Sequence, residues 1–115
     1  MQTLFLKDTA ADIARAGDLL RRGEVVGIPT ETVYGLAANA LDAAAVTRIF
    51  AAKGRPADNP LIVHISALSQ LDALVAEVPE KARRLAALWW PGPLTMILRN
   101  IKCRLINYFL IILLF

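Results

Sequence analysis

Short apolar runs alternate with stretches of helical periodicity along this chain, and that alternation limits what it can fold into more than any other feature. "EVVGIP", "LIVHI" and "LTMIL" are brief and mostly rich in branched residues, and long intervening segments separate them. Strands so far apart cannot pair through a tight hairpin and need crossover connections. The expected fold is therefore α/β, or α+β with a mixed sheet, with helices flanking the strands. A length of 115 residues accommodates one domain or part of one. Hydrophobic residues at 57% against 20% charged favour a packed core over disorder.

The helical segments carry their own start and stop signals. In "TAADIARAGDLLRRG", Ile13, Ala16 and Leu20 share a stripe, Asp8 or Thr9 is placed to cap the start, and Gly23 ends it. Asp42 caps "AAAVTRIFAAK", where Val46, Ile49, Phe50 and Lys53 repeat at helical spacing and Gly54 closes the helix. The stretch from Lys53 to Pro60 then reads as loop. Ser66 is placed to cap a helix over "ALSQLDALVAEV" with a Leu71, Leu74, Val75 stripe. Pro79 opens "EKARRLAALWW", with Ala82, Leu85, Leu88 and Trp89 on one face before "PGP" breaks the chain. "TVYGLAA" reads as a second extended piece after "EVVGIP". In "LIVHI", Leu61, Val63 and Ile65 fall on one face and Ile62 and His64 on the other.

Near Asn100 the vocabulary changes. Residues 1–100 are alanine-rich, whereas "IKCRLINYFLIILLF" has no Ala, Gly, Asp or Glu and uses residues of A/T-rich codons. The break divides the chain into an N-terminal domain portion, 1–100, and an atypical apolar tail, 101–115. It points to a frameshift, an insertion or a misjoined end, with an apolar last strand or a membrane-associating tail as the alternatives. The closing run "LINYFLIILLF" falls short of the roughly 20 residues a spanning helix needs, so no stable membrane insertion is expected.

The net charge of +3 favours anionic partners only mildly, and no block of like charges marks a nucleic-acid arm. One cysteine and one histidine exclude an intrachain disulfide framework and argue against a zinc site built on His and Cys. The N-terminus has no secretory signal pattern. A cytoplasmic, reducing location fits.

Three places offer chemistry. In "KGRPADNP", Lys53 and Arg55 flank a glycine at a helix exit, so both cations can turn toward one anionic ligand, and Asn59 adds an amide just before a strand. The competing reading is a pair of ordinary solvated charges, Lys53 favoured by the helix dipole. His64 stands mid-strand a few residues later, as a sheet-face histidine or as a ligand group. In "PTETVYG", an extended backbone would put the hydroxyls of Thr30, Thr32 and Tyr34 on one side, suited to a polar pocket or simply to an edge strand. No Walker-type loop and no GxGxxG is present.

The order of these motifs is more specific than any one of them. "GIPTETVYGLAANA", then "IFAAKGRPADNPLIVHI", then "LWWPGPLTMIL" resembles the YrdC/TsaC family of threonylcarbamoyl-AMP synthases over nearly all of residues 10–99. The resemblance implies a twisted mixed sheet with flanking helices, incomplete at the C-terminus. It implies an enzyme that joins L-threonine, bicarbonate and ATP into threonylcarbamoyl-AMP and pyrophosphate, with Mg²⁺ accompanying ATP. Downstream proteins would use the product to modify tRNA. By the family's motifs, Lys53 and Arg55 would bind triphosphate and carboxylate oxygens, Asn59 would contact ATP, and Thr32 and His64 would hold threonine. No resident metal is implied. The family's later serine-x-asparagine segment has no counterpart here, so the chain reads as the N-terminal part of the domain. Two other functions fit the same residues: an RNA-binding module without catalysis, and the related domain of hydrogenase-maturation carbamoyl transferases.

Overall fold

The computed structural model describes residues 2–54 and 61–99, together with the backbone of 109–114. It consists of two compact units, Met1–Ala57 and Asp58–Phe115. Each unit is built from the alternation anticipated above, and together they make an α/β chain with one two-stranded and one three-stranded sheet.

In the first unit, helix α1 spans Ala10–Arg21 and starts where the Thr9 hydroxyl accepts from the Asp12 amide at 3.2 Å. Thr9, and not Asp8, is thus the cap. Gly23 follows the helix with φ of +83°, a left-handed conformation that a side chain would strain. The expected stripe of α1 is only partly covered: Ala16 and Leu20 are half-buried, while Ile13 is exposed. Strands β1 (Val26–Ile28) and β2 (Gly35–Ala37) pair antiparallel, with Val26 opposite Ala37 and Ile28 opposite Gly35.

Helix α2, Ala43–Lys53, has both expected caps. The Asp42 carboxylate accepts from the amides of Ala44 and Ala45, and Gly54 ends the helix in the left-handed region. Ala45, Val46, Ile49 and Phe50 are its buried face and the centre of the unit's core. Helical spacing and cap chemistry agree here, which is why sequence and structure agree.

In the second unit, β3 (Ile62–Ile65) alternates as expected, with Val63 and Ile65 buried and Ile62 and His64 exposed. The segment after it departs from expectation. A single 3₁₀ turn, Leu68–Gln70, leads into a short helix α3, Leu71–Leu74, in place of a helix over the whole of 67–78. Ser66 does not cap it through its hydroxyl. Instead the Gln70 side-chain oxygen reaches back to accept from the amides of Ser66 (2.7 Å) and Ala67 (3.3 Å). Val75 is extended and buried, and the Ala76 amide donates to the Arg99 carbonyl at 2.8 Å. A backbone partner on a strand has won over continued helix.

Helix α4 covers Glu80–Trp89 with Pro79 before it. Its buried residues are Ala82 and Ala86, one turn apart, while Leu85, Leu88 and Trp89 of the expected stripe are exposed. Small residues allow the close approach here. Trp90 is buried, and its indole N–H donates to the Leu94 carbonyl at 2.7 Å.

Strand β4 is Thr95–Arg99, with Met96 and Leu98 buried. Strand β5, Phe109–Leu114, lies in the tail. It stands at the centre of a mixed sheet in the order β3-β5-β4, parallel to β3 and antiparallel to β4. Val63, Ile65, Met96 and Leu98 of the sheet join Leu71, Val75, Ala82, Ala86 and Trp90 in the core. Among the described residues, no helix is long and apolar enough to cross a membrane.

Candidate functional site

The connection between β1 and β2 carries Thr32. It is not extended, as the alternating hydroxyls suggested, but bent over residues 31–33. The cause is Thr30: its hydroxyl accepts from the amides of Thr32 (3.4 Å) and Val33 (3.2 Å) and donates to the Val33 carbonyl. A threonine side chain that captures its neighbours' backbone groups competes with a strand ladder. Thr30 therefore shapes the loop and is not aligned with Thr32 and Tyr34 along one strand side. Thr32 itself is exposed, as are Val33 and Tyr34. Its hydroxyl makes no hydrogen bond among the described residues, which leaves it available to a ligand.

Lys53 is the last residue of α2 and is exposed. The carbonyl end of the helix favours a cation there. Gly54, at φ +63° and ψ 28°, ends the helix in the left-handed region directly after Lys53. No ion pair among the described residues involves Lys53, so its charge is open to an anion. Arg55 and Asn59 lie outside the described residues.

His64 occupies the exposed face of β3. In the sheet register it stands opposite Leu113 of β5, which stands opposite Thr95 of β4, so these positions form one row across the sheet. Of the candidate ligand residues that are described, Thr32 and Lys53 belong to the first unit and His64 to the second. All three are accessible. Among the described residues no group of His, Cys, Asp or Glu is placed to hold a metal ion.

One residue with a structural claim on this region carries no signal in the sequence. Arg48, on α2, donates from Nη1 to the Gly23 carbonyl at 2.8 Å and pairs with Glu24 at 3.5 Å. Its principal partner is a backbone carbonyl 25 residues away, which no local pattern reveals.

A family model described as "Telomere recombination", covering Sua5, YciO and YrdC proteins, matches residues 18–110. The threonylcarbamoyl-AMP synthase of Pyrococcus abyssi is 61% identical over 83 residues, which is 72% of this chain and 24% of that protein. The threonylcarbamoyl-AMP synthase of Bacillus subtilis is 60% identical over 86 residues, 75% of this chain and 25% of that protein. The crystal structure of P. abyssi Sua5 complexed with L-threonine superposes with a TM-score of 0.91 at 45% identity, covering 97% of this chain and 36% of that one. The chain thus spans about a quarter of the length of these two curated relatives. Match, identity and fold agree over most of its residues, and the chain belongs to the Sua5/YciO/YrdC family.

Proposed function

We propose that the protein to which this chain contributes is an L-threonylcarbamoyladenylate synthase, forming threonylcarbamoyl-AMP and pyrophosphate from L-threonine, bicarbonate and ATP. The observation that carries the reading is 61% identity over 83 residues to a threonylcarbamoyl-AMP synthase. The likeness to a relative crystallised with L-threonine supports the threonine side of it.

In this reading the reaction joins two anions. The threonine amine joins bicarbonate to give the carbamate with loss of water. A carbamate oxygen then attacks the α-phosphorus of ATP, so that a new P–O bond forms as the bond from that phosphorus to the β-phosphate oxygen breaks and pyrophosphate leaves. Lys53 and Arg55 offset the repulsion between carboxylate and triphosphate and stabilise the charge that develops on the departing phosphates. Asn59 orients ATP. Thr32 and His64 hold threonine through hydrogen bonds, so no covalent nucleophile is required. Mg²⁺ arrives on the triphosphate as part of the substrate. The product passes to cytoplasmic proteins that modify tRNA.

The test is pyrophosphate release by the complete protein, with each substrate omitted in turn. The reading expects release that requires L-threonine and bicarbonate as well as ATP. Release that continues without threonine would overturn it.

A further inference from the structure

We propose that Arg48 is a positioning residue, which fixes the β1–β2 hairpin on α2 so that the threonine-holding loop and Lys53 keep one geometry. The inference rests on the reading of Thr32 and Lys53 given above.

The hairpin that presents Thr32 is three residue pairs long, and a two-stranded ribbon of that size is marginal without support. Its outgoing leg runs into α2, while its incoming leg leaves the end of α1 and is bonded there from α2. On the outgoing leg, Ala37 is five residues from Asp42, the cap of α2, and the Asp42 amide donates to the Asn39 carbonyl at 3.1 Å. On the incoming leg, the bond from Arg48 to the Gly23 carbonyl ties down the chain three residues before β1. It is the one hydrogen bond among the described residues from a side chain within α2 to the chain preceding β1. Gly23 allows the approach: it is buried, and a Cβ there would stand 3.0 Å from the Asp42 carboxylate. Five residues after Arg48, the same helix ends at Lys53. Arg48 thus shares a helix with Lys53 and bonds to the chain that leads into the Thr32 hairpin, and among the described residues it makes no hydrogen bond or ion pair to either candidate ligand group.

The experiment uses the complete protein with L-threonine as probe. Calorimetric titration and amide hydrogen exchange are recorded for wild type, Arg48→Ala, Arg48→Lys and Glu24→Gln. Loss of a charge-assisted bond predicts that Arg48→Ala raises the threonine Kd about tenfold. Exchange of the β1–β2 ladder amides rises by a similar factor of about ten, while the Ala45 amide, held by Asp42, changes less than about twofold. Arg48→Lys, which keeps a donor of the same charge, recovers most of the affinity. Glu24→Gln leaves it unchanged, because the Arg48–Glu24 pair is long and exposed. An unaltered Kd in Arg48→Ala overturns the proposal, and so does faster exchange spread evenly over hairpin and α2, which marks plain destabilisation. Wild type that binds no L-threonine defeats the functional reading itself, whereas wild type that binds and a variant that binds equally well defeats only the role of Arg48.

Discussion

Replacing Asp42 by alanine removes a single carboxylate on which the start of α2 depends, and the cost follows from its two bonds. Its Oδ1 accepts from the Ala44 amide at 3.0 Å and the Ala45 amide at 3.2 Å. Ala44 is exposed, so water can replace the lost acceptor there. Ala45 is 1% exposed, and its amide would be left short of a partner. Loss of an N-cap typically costs about 1 kcal/mol and reaches about 2 in buried settings, so Asp42→Ala should destabilise the first unit by about 1–2 kcal/mol. Asp42→Asn keeps the acceptor and loses only the charge facing the helix dipole, worth about 0.3–1 kcal/mol. Because the chain forms two compact units, a global melt mixes their responses, and amide exchange at Ala45 reads the relevant one directly. Exchange about 5- to 30-fold faster is expected in the alanine variant. An alanine variant within about 0.3 kcal/mol of wild type, or an asparagine variant as damaged as the alanine one, would refute the capping argument.

Other substitutions test other parts of the account. Gly23→Ala forces a side chain into a left-handed backbone and against the Asp42 carboxylate, and should cost the first unit about 1–2 kcal/mol, read by exchange of the α2 amides. Gly92→Ala would place a Cβ 2.5 Å from the Trp89 carbonyl oxygen, a backbone atom that cannot rotate away, and should destabilise the second unit by about 1–3 kcal/mol. Exchange at the Leu98 amide reads that loss. In the complete protein, Lys53→Ala and Arg55→Ala should each slow pyrophosphate release by about 100-fold or more. Lys53→Ala should leave stability within about 0.5 kcal/mol, since Lys53 is exposed and outside every described ion pair.

Where several local signals agreed, the sequence was a good guide. Helix α2 was legible from Asp42 to Gly54 because cap, apolar spacing and terminal glycine all pointed to one structure. The β3 alternation was legible because a half-buried strand has a period of two. Expectation failed where a residue had a second partner. Thr30 looked like one of three hydroxyls on a strand, yet its side chain serves the bend at residues 31–33. Leu71, Leu74 and Val75 matched a helical stripe, yet Val75 lies in an extended segment whose next amide bonds to β4. The α4 stripe was misjudged by size, because burial went to Ala82 and Ala86 and not to Leu88 and Trp89. The family was legible through a motif order that the family match bears out, whereas Arg48 was not legible, since a bond to a distant carbonyl leaves no trace in composition.

The measurement that bears most directly on the central claim follows carbon. The complete protein is supplied with ATP, L-threonine and carbon-13 bicarbonate, and the adenylate formed is analysed by mass spectrometry. The account predicts one labelled carbon in a product that contains both threonine and AMP, formed in step with pyrophosphate. Unlabelled threonyl-adenylate, or pyrophosphate without a threonine-containing adenylate, would contradict it.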